Sequence, residues 1–228
     1  MRLLVSVRDV RDASAAVLGG ADIVDAKDPR RGALGPVSPR ILARIRSAVP
    51  PAIPVSVALG DAAAERAVPR GVAFVKVGLR DVRDAEHARA LAYRAAQRAA
   101  EAGAELVLVA YADAARAASV PPLAIVEIAA AAGARGVLLD TAFKNRGSLF
   151  ELLEIARVAQ WLAAARAANL FTALAGSLGW GEPGLRTALA LGADIVGVRG
   201  AACDGGRAGR VSVARVTALS ALVAAAVA

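Results

Sequence analysis

All but three of the 28 basic residues in this 228-residue chain are arginine, and the exceptions are Lys27, Lys76 and Lys144. A guanidinium stays protonated at any physiological pH and cannot attack a carbonyl, whereas an ε-amino group can once it sheds its proton. Lysines that persist where arginine has taken every other cationic place are therefore candidates for amine chemistry, above all imine formation with an aldehyde or ketone. Each lies at or just past the end of a strand-like segment. In Ile23-Val24-Asp25-Ala26-Lys27 a period of two sets Ile23, Asp25 and Lys27 on one face. The same alternation in Phe74-Val75-Lys76-Val77-Gly78 turns Lys76 inward. Burial disfavours the charge on both amines and each disfavours the charge on the other, so at least one is expected to be a nucleophile of depressed pKa. The competing reading makes structural ion pairs of Lys27 with Asp25, or of Lys76 with Asp140.

Eight short apolar runs position these residues, near 2–7, 22–27, 53–59, 73–79, 105–111, 135–140, 170–175 and 194–199. Alanine-rich stretches of helical period follow most of them, near 9–19, 38–49, 84–102, 121–132, 148–169, 183–191 and 211–226. Glycines that stop a helix and return the chain to the sheet recur in Gly103-Ala104-Glu105, Gly133-Ala134-Arg135 and Gly192-Ala193-Asp194. Eight such units predict an α/β fold: one (β/α)8 TIM barrel over residues 1–228. The short stretch from Asp61 to Val68 leaves room for only a shortened third helix. No GxGxxG follows the first strand, which argues against a dinucleotide site.

The bulk properties narrow the partners. A formal charge of +8 would suit nucleic acid, but the arginines are scattered and no basic run exceeds Arg30-Arg31. Aromatic residues make up 4%, too few for base-stacking platforms. A diffuse positive excess suits anionic small molecules instead. The tail from Val211 is broken by Arg215, Thr217 and Ser220, and no membrane span is expected. Asp9, Arg11 and Asp12 interrupt any leader-like stretch, so a cytoplasmic protein is expected. A non-catalytic basic protein is the reading that dispersed charge disfavours. With one His and one Cys a zinc site is not expected; His87 falls in a helix and Cys203 reads as a packing residue.

Further groups belong to the same rim. Asp140 ends the sixth strand beside apolar neighbours and reads as a proton-transfer group, with Lys144 in the loop that follows. Tyr111, Asp113 and Asp61 end other strands, the two carboxylates as helix caps or catalytic groups. Gly176 and Ser177 after strand seven, and Arg199, Gly200, Ala201, Gly205 and Gly206 after strand eight, read as phosphate seats, with Arg207 able to add charge.

These motifs together resemble one family, the (5-formylfuran-3-yl)methyl phosphate synthases of methanofuran biosynthesis. The resemblance rests on Gly19-Gly20-Ala21-Asp22-Ile23-Val24-Asp25-Ala26-Lys27-Asp28-Pro29, Lys76-Val77-Gly78-Leu79, Leu139-Asp140-Thr141-Ala142, Ala173-Leu174-Ala175-Gly176-Ser177-Leu178 and Asp194-Ile195-Val196-Gly197-Val198-Arg199-Gly200-Ala201-Ala202-Cys203. It implies a lyase that joins two molecules of glyceraldehyde 3-phosphate with loss of phosphate and water, serving one-carbon metabolism. The residue matching Lys27 would form the Schiff base and that matching Lys76 would accept a proton, with Asp25, Asp140 and Lys144 in the same pocket. Aldol addition to the aldehyde of the second triose would complete the carbon skeleton. Because the enzyme's amine is the electron sink, no metal or organic cofactor is implied. A class I aldolase acting on another small sugar phosphate is the alternative. The segment Asp61 to Gly71 looks shorter than the family pattern. The apolar surfaces of the alanine-rich helices suggest a homo-oligomer.

Overall fold

In the computed structural model, which describes residues 1–178 and 183–226, every strand of the barrel is buried on both of its faces over most of its length. One apolar cluster fills the inside, including Ile23, Ala58, Val107, Leu138, Ala173 and Ile195. A second, larger cluster lies between the outer strand faces and the helices. That double burial explains the near-continuous apolar runs, which strands of a one-sided sheet would not show.

Eight parallel strands close in sequence order: β1 (Arg2–Val7), β2 (Ile23–Ala26), β3 (Val55–Asp61), β4 (Phe74–Gly78), β5 (Glu105–Tyr111), β6 (Gly136–Asp140), β7 (Phe171–Leu174) and β8 (Ile195–Val198), with β8 pairing back to β1. The helices α1 (Val10–Leu18), α2 (Pro39–Ala48) and α3 (Ala85–Glu101) start where the sequence offers a cap, and α4 (Pro122–Ala131) starts on a proline. Asp9, Ser38 and Asp84 each accept from a backbone amide three residues on, at 3.0, 3.3 and 2.7 Å. The barrel is thus an α/β TIM fold of the expected kind.

Two helices differ from expectation, and the third barrel helix is shortened as expected. Between β3 and β4 the third barrel helix is reduced to a single turn at Ala62–Ala64. Residues 62–73 are too few for a helix antiparallel to the strands plus a turn at each end. After β6 the expected helix over 148–169 is two, α5 (Leu149–Leu152) and α6 (Ile155–Ala167), with Leu153 extended between them at φ −141°. Packing imposes the break: the Leu149 amide bonds the Gly176 carbonyl at 2.8 Å, whereas α6 docks on α4, where the Trp161 indole donates to Pro122 at 3.1 Å. After α7 (Pro183–Ala190) and β8, the last helix α8 (Val213–Ala225) begins later than 211. Arg210–Val211 (β10) instead pairs antiparallel with Cys203–Asp204 (β9). None of the helices among the described residues is long and apolar enough to cross a membrane.

Gly136 opens β6 against the ring of Phe171, itself packed edge-on to Phe74 at 5.5 Å between centroids. A β-carbon there would come within 2.6 Å of Phe171 Cγ. The change Gly136→Ala is expected to cost about 1–3 kcal/mol by overpacking. In a thermal melt this lowers Tm by roughly 2–12 °C for a chain of this size; an unchanged Tm would refute the packing described.

Candidate active site

The site is built from two buried amines on strands either side of β3. Lys27 follows directly on β2, its amide bonded to Val7 at 2.8 Å, and its side chain is 6% exposed. Lys76 lies in the middle of β4, not at its end, so its amine starts deeper in the barrel and is 3% exposed. Both line one cavity of about 380 Å³ at the C-terminal mouth.

Ion pairing is crossed relative to the structural pairs that sequence suggested. Lys76 Nζ lies 2.6 Å from Asp25 Oδ2, and Asp25 is fully buried. The Ser6 hydroxyl donates to the same oxygen at 3.0 Å. Asp140 pairs instead with Lys144, whose ammonium also donates to Thr141 Oγ1 at 3.1 Å. That leaves Lys27 without an ion pair or hydrogen bond at its amine among the described residues. Burial, and then repulsion from Lys76, lower its pKa to about 7, against the opposing pull of Asp140 and Asp25. Asp140 stays ionised: burial works to raise its pKa, but Lys144 and Lys27 together bring it below the usual carboxylate range. Three amines at one pocket, with buried Asp25 and Asp140 pairing two of them, therefore leave one amine able to lose its charge near neutrality, and it is the unpaired one.

Two acidic residues expected at the rim have other work. Asp113 caps no helix; its two oxygens accept from the amides of Ala142 and Phe143 at 2.7 and 3.0 Å, fixing the loop that carries Lys144. Asp61 accepts from Tyr111 Oη at 2.7 Å and from the Arg80 amide at 3.0 Å. Burial, then the charge of Asp61, push the Tyr111 phenol well above its ordinary pKa, so it remains a donor.

The opposite wall carries the anticipated glycine loops. Gly176 and Ser177 both adopt positive φ, 104° and 60°, and line the cavity. A β-carbon on Gly176 would press on Leu149 and Thr141 at 3.1 Å. Gly200, Ala201, Gly206 and Arg207 complete the wall, whereas Gly205 does not reach it. Arg199 borders the cavity, but its guanidinium is committed to protein acceptors: Asp12 at 2.7 Å, Ser6 O at 2.9 Å and Gly209 O at 2.8 Å. It knits the eighth loop to β1 and α1. Cationic charge facing the opening comes instead from Arg207 and from Arg215, which Asp204 holds at 2.7 Å. Cys203 is buried and burial raises its thiol pKa.

Sequence reasoning did not single out Ser6, Ser56 or Arg215. The two serines were discoverable, because each occupies an inward position of an otherwise apolar strand. Arg215 carried no signal of its own among 25 arginines.

Comparison with known proteins shows the family. Residues 3–220 match the profile of a family described as 4-HFC-P synthase. A protein of Methanothermobacter thermautotrophicus named (5-formylfuran-3-yl)methyl phosphate synthase is 37% identical over 216 residues, covering 90% of this chain and 91% of that one. Namesakes from Methanococcus maripaludis and Archaeoglobus fulgidus are 38% and 34% identical, each covering 92% of this chain and 94% of their own. Among solved structures, thiamine phosphate pyrophosphorylase from Pyrococcus furiosus aligns over 99% of this chain and 96% of its own with a TM-score of 0.65 at 13% identity. A 2,3-dimethylmalate lyase aligns over 99% and 79% with 0.59 at 15%. At such identity these two show the barrel alone.

The electrostatics make a direct prediction. Reductive methylation or acylation of Lys27, followed residue by residue by mass spectrometry, should rise through a midpoint near pH 7. Because protonation is what burial and Lys76 oppose, Asp140→Asn should move that midpoint down and Lys76→Met up. A wild-type midpoint at an ordinary lysine value, near 10.5, would contradict the site as described.

Proposed function

We propose that this chain, which belongs to the 4-HFC-P synthase family, makes (5-formylfuran-3-yl)methyl phosphate from two triose phosphates through an imine on Lys27. Methanofuran-type cofactor biosynthesis is the pathway this product serves. The observation that carries the reading is the unpaired, buried amine of Lys27 beside the Lys76–Asp25 pair.

Uncharged Lys27 Nζ adds to the aldehyde carbon of glyceraldehyde 3-phosphate. The carbinolamine loses its hydroxyl as water, with the Asp140–Lys144 pair supplying the proton. The iminium acidifies the neighbouring carbon, whose proton Lys76 takes, with Asp25 at 2.6 Å available to share it. The nitrogen lone pair then pushes through the new carbon–carbon double bond and expels phosphate from the third carbon. Arg207 and the Gly176-Ser177 loop stand where the phosphate groups would lie.

The product's substitution pattern decides where the second triose is joined. Addition to its aldehyde carbon would give a furan substituted at both carbons beside the ring oxygen. The named product carries its phosphomethyl group one position further round, so the new bond must form at the central carbon. The second triose therefore reacts as its ketose tautomer, dihydroxyacetone phosphate. Its terminal hydroxyl closes the ring on the carbonyl of the first unit, two waters leave, and hydrolysis frees Lys27. All six carbons are kept, and one phosphate and two waters depart.

Borohydride with glyceraldehyde 3-phosphate should fix a triose-derived adduct on Lys27, located by peptide mass spectrometry, and Lys27→Ala should abolish it. Unreduced enzyme should release one phosphate per furan formed. An adduct on another residue would refute the assignment of Lys27. Carbon–carbon bond formation without phosphate release would replace this reading with a class I aldolase.

A further inference from the structure

Ser56 is one of the least exposed polar side chains in the protein, at 1%, and its hydroxyl has no hydrogen-bond partner. A buried hydroxyl left unpaired is destabilising, and apolar packing around it does nothing to offset that. The hydroxyl also borders the cavity that holds Lys27 and Lys76. Its position in the barrel is specific. Strand β3 runs between the strands that carry the two amines, and its inward residues are Ser56 and Ala58. Ala58 pairs in register with Lys76, and Ser56 with Asp25. At the level of Lys76, β3 thus presents only a methyl group, and one inward step below it a hydroxyl.

A triose carried by Lys27 whose second carbon faces Lys76 must cross β3. Ala58 leaves room for it. The group on that second carbon, besides the hydrogen that Lys76 removes, is a hydroxyl. Asp25 Oδ1, beside Ser56 in register, is also buried without a partner. Ser56 lines the cavity where Asp25 does not, so its unpaired hydroxyl is the group there that a substrate hydroxyl can satisfy.

We propose that Ser56 binds the hydroxyl on the carbon next to the imine, and so selects 2-hydroxyaldehydes over simple aldehydes and orients the hydrogen that Lys76 removes. The inference rests on imine formation at Lys27.

The test compares two non-eliminating probes. One is the phosphonate isostere of glyceraldehyde 3-phosphate, with a methylene in place of the bridging oxygen; the other lacks its hydroxyl next to the aldehyde. Concentration dependence of borohydride trapping at Lys27 gives an apparent affinity for each. Wild type should favour the hydroxylated probe by about tenfold, the scale of one buried hydrogen bond. Ser56→Ala should lose most of that preference by weakening the hydroxylated probe alone, with a Tm equal to or above wild type. A preference unchanged in Ser56→Ala, equal weakening of both probes, or a lowered Tm would overturn the role of Ser56 and leave Lys27 chemistry standing. Absence of trapping at Lys27 in wild type would remove both.

Discussion

The buried contact between Asp25 and Lys76 is the constraint from which the rest of the site follows. A carboxylate at zero exposure must be paired, and Lys76 at 2.6 Å takes that place with help from the Ser6 hydroxyl. Once it has done so, a second ammonium a strand away gains little from the same carboxylate and meets the repulsion of the first. Lys27 therefore carries a desolvation cost that Asp140 and Asp25 offset only in part, and its proton is the one the pocket gives up. The Asp140–Lys144 pair repeats the logic on the other side, fixing a second carboxylate as an anion and taking up most of what it could offer Lys27. In the proposed reaction, the amine that attacks is the one that pairing leaves over.

Much of this was legible along the chain. A period of two on strands two and four named both amines and Asp25 as inward, and helix-stopping glycines with the eightfold alternation named the barrel. What sequence does not carry is the stagger between neighbouring strands. Register places Asp25 level with Ser6 on one side and Ser56 on the other, and Lys76 level with Ala58. Pairing thus runs between strands, Asp25 to Lys76, and not along one strand from Asp25 to Lys27. A rule about spacing within a strand has no access to that offset. The same limit hid the break at Leu153, where no Pro or Gly marks a boundary and two docking surfaces impose one.

Arg199 shows how a residue can be placed correctly and still be given the wrong company. It stands at the end of β8 beside a glycine-rich loop, the position from which a cation would meet phosphate. Yet Asp12, fully buried on α1, pulls the guanidinium away from the opening, and three carbonyls complete its coordination. Nothing near Arg199 in the chain points to Asp12, which is 187 residues away. The charge that does face the cavity comes from Arg207, further out along the loop that Arg199 anchors. Burying one arginine to hold a loop, and leaving the next half-buried at the cavity with a bond to Gly32 O, follows from their environments and not from their type.

Ser6 joins these two halves of the site. Its carbonyl accepts from Arg199 and its hydroxyl donates to Asp25, so a single residue at the end of β1 binds the eighth loop on one side and the Lys76 pair on the other. The path from Arg207 to Lys76 runs Arg207 carbonyl, Arg199, Ser6, Asp25, with each step a hydrogen bond or ion pair between 2.6 and 3.3 Å. A phosphate seat built on such a frame cannot drift independently of the amines. That matters for the proposed reaction, in which the group expelled is two carbons from the imine. The leaving phosphate and the nitrogen that drives it out must be held in one geometry, and positioning of that kind is where much of an enzyme's rate advantage originates. Labour on this barrel divides accordingly: a guanidinium holds the frame, and in the proposed reaction the sheltered amines do the chemistry.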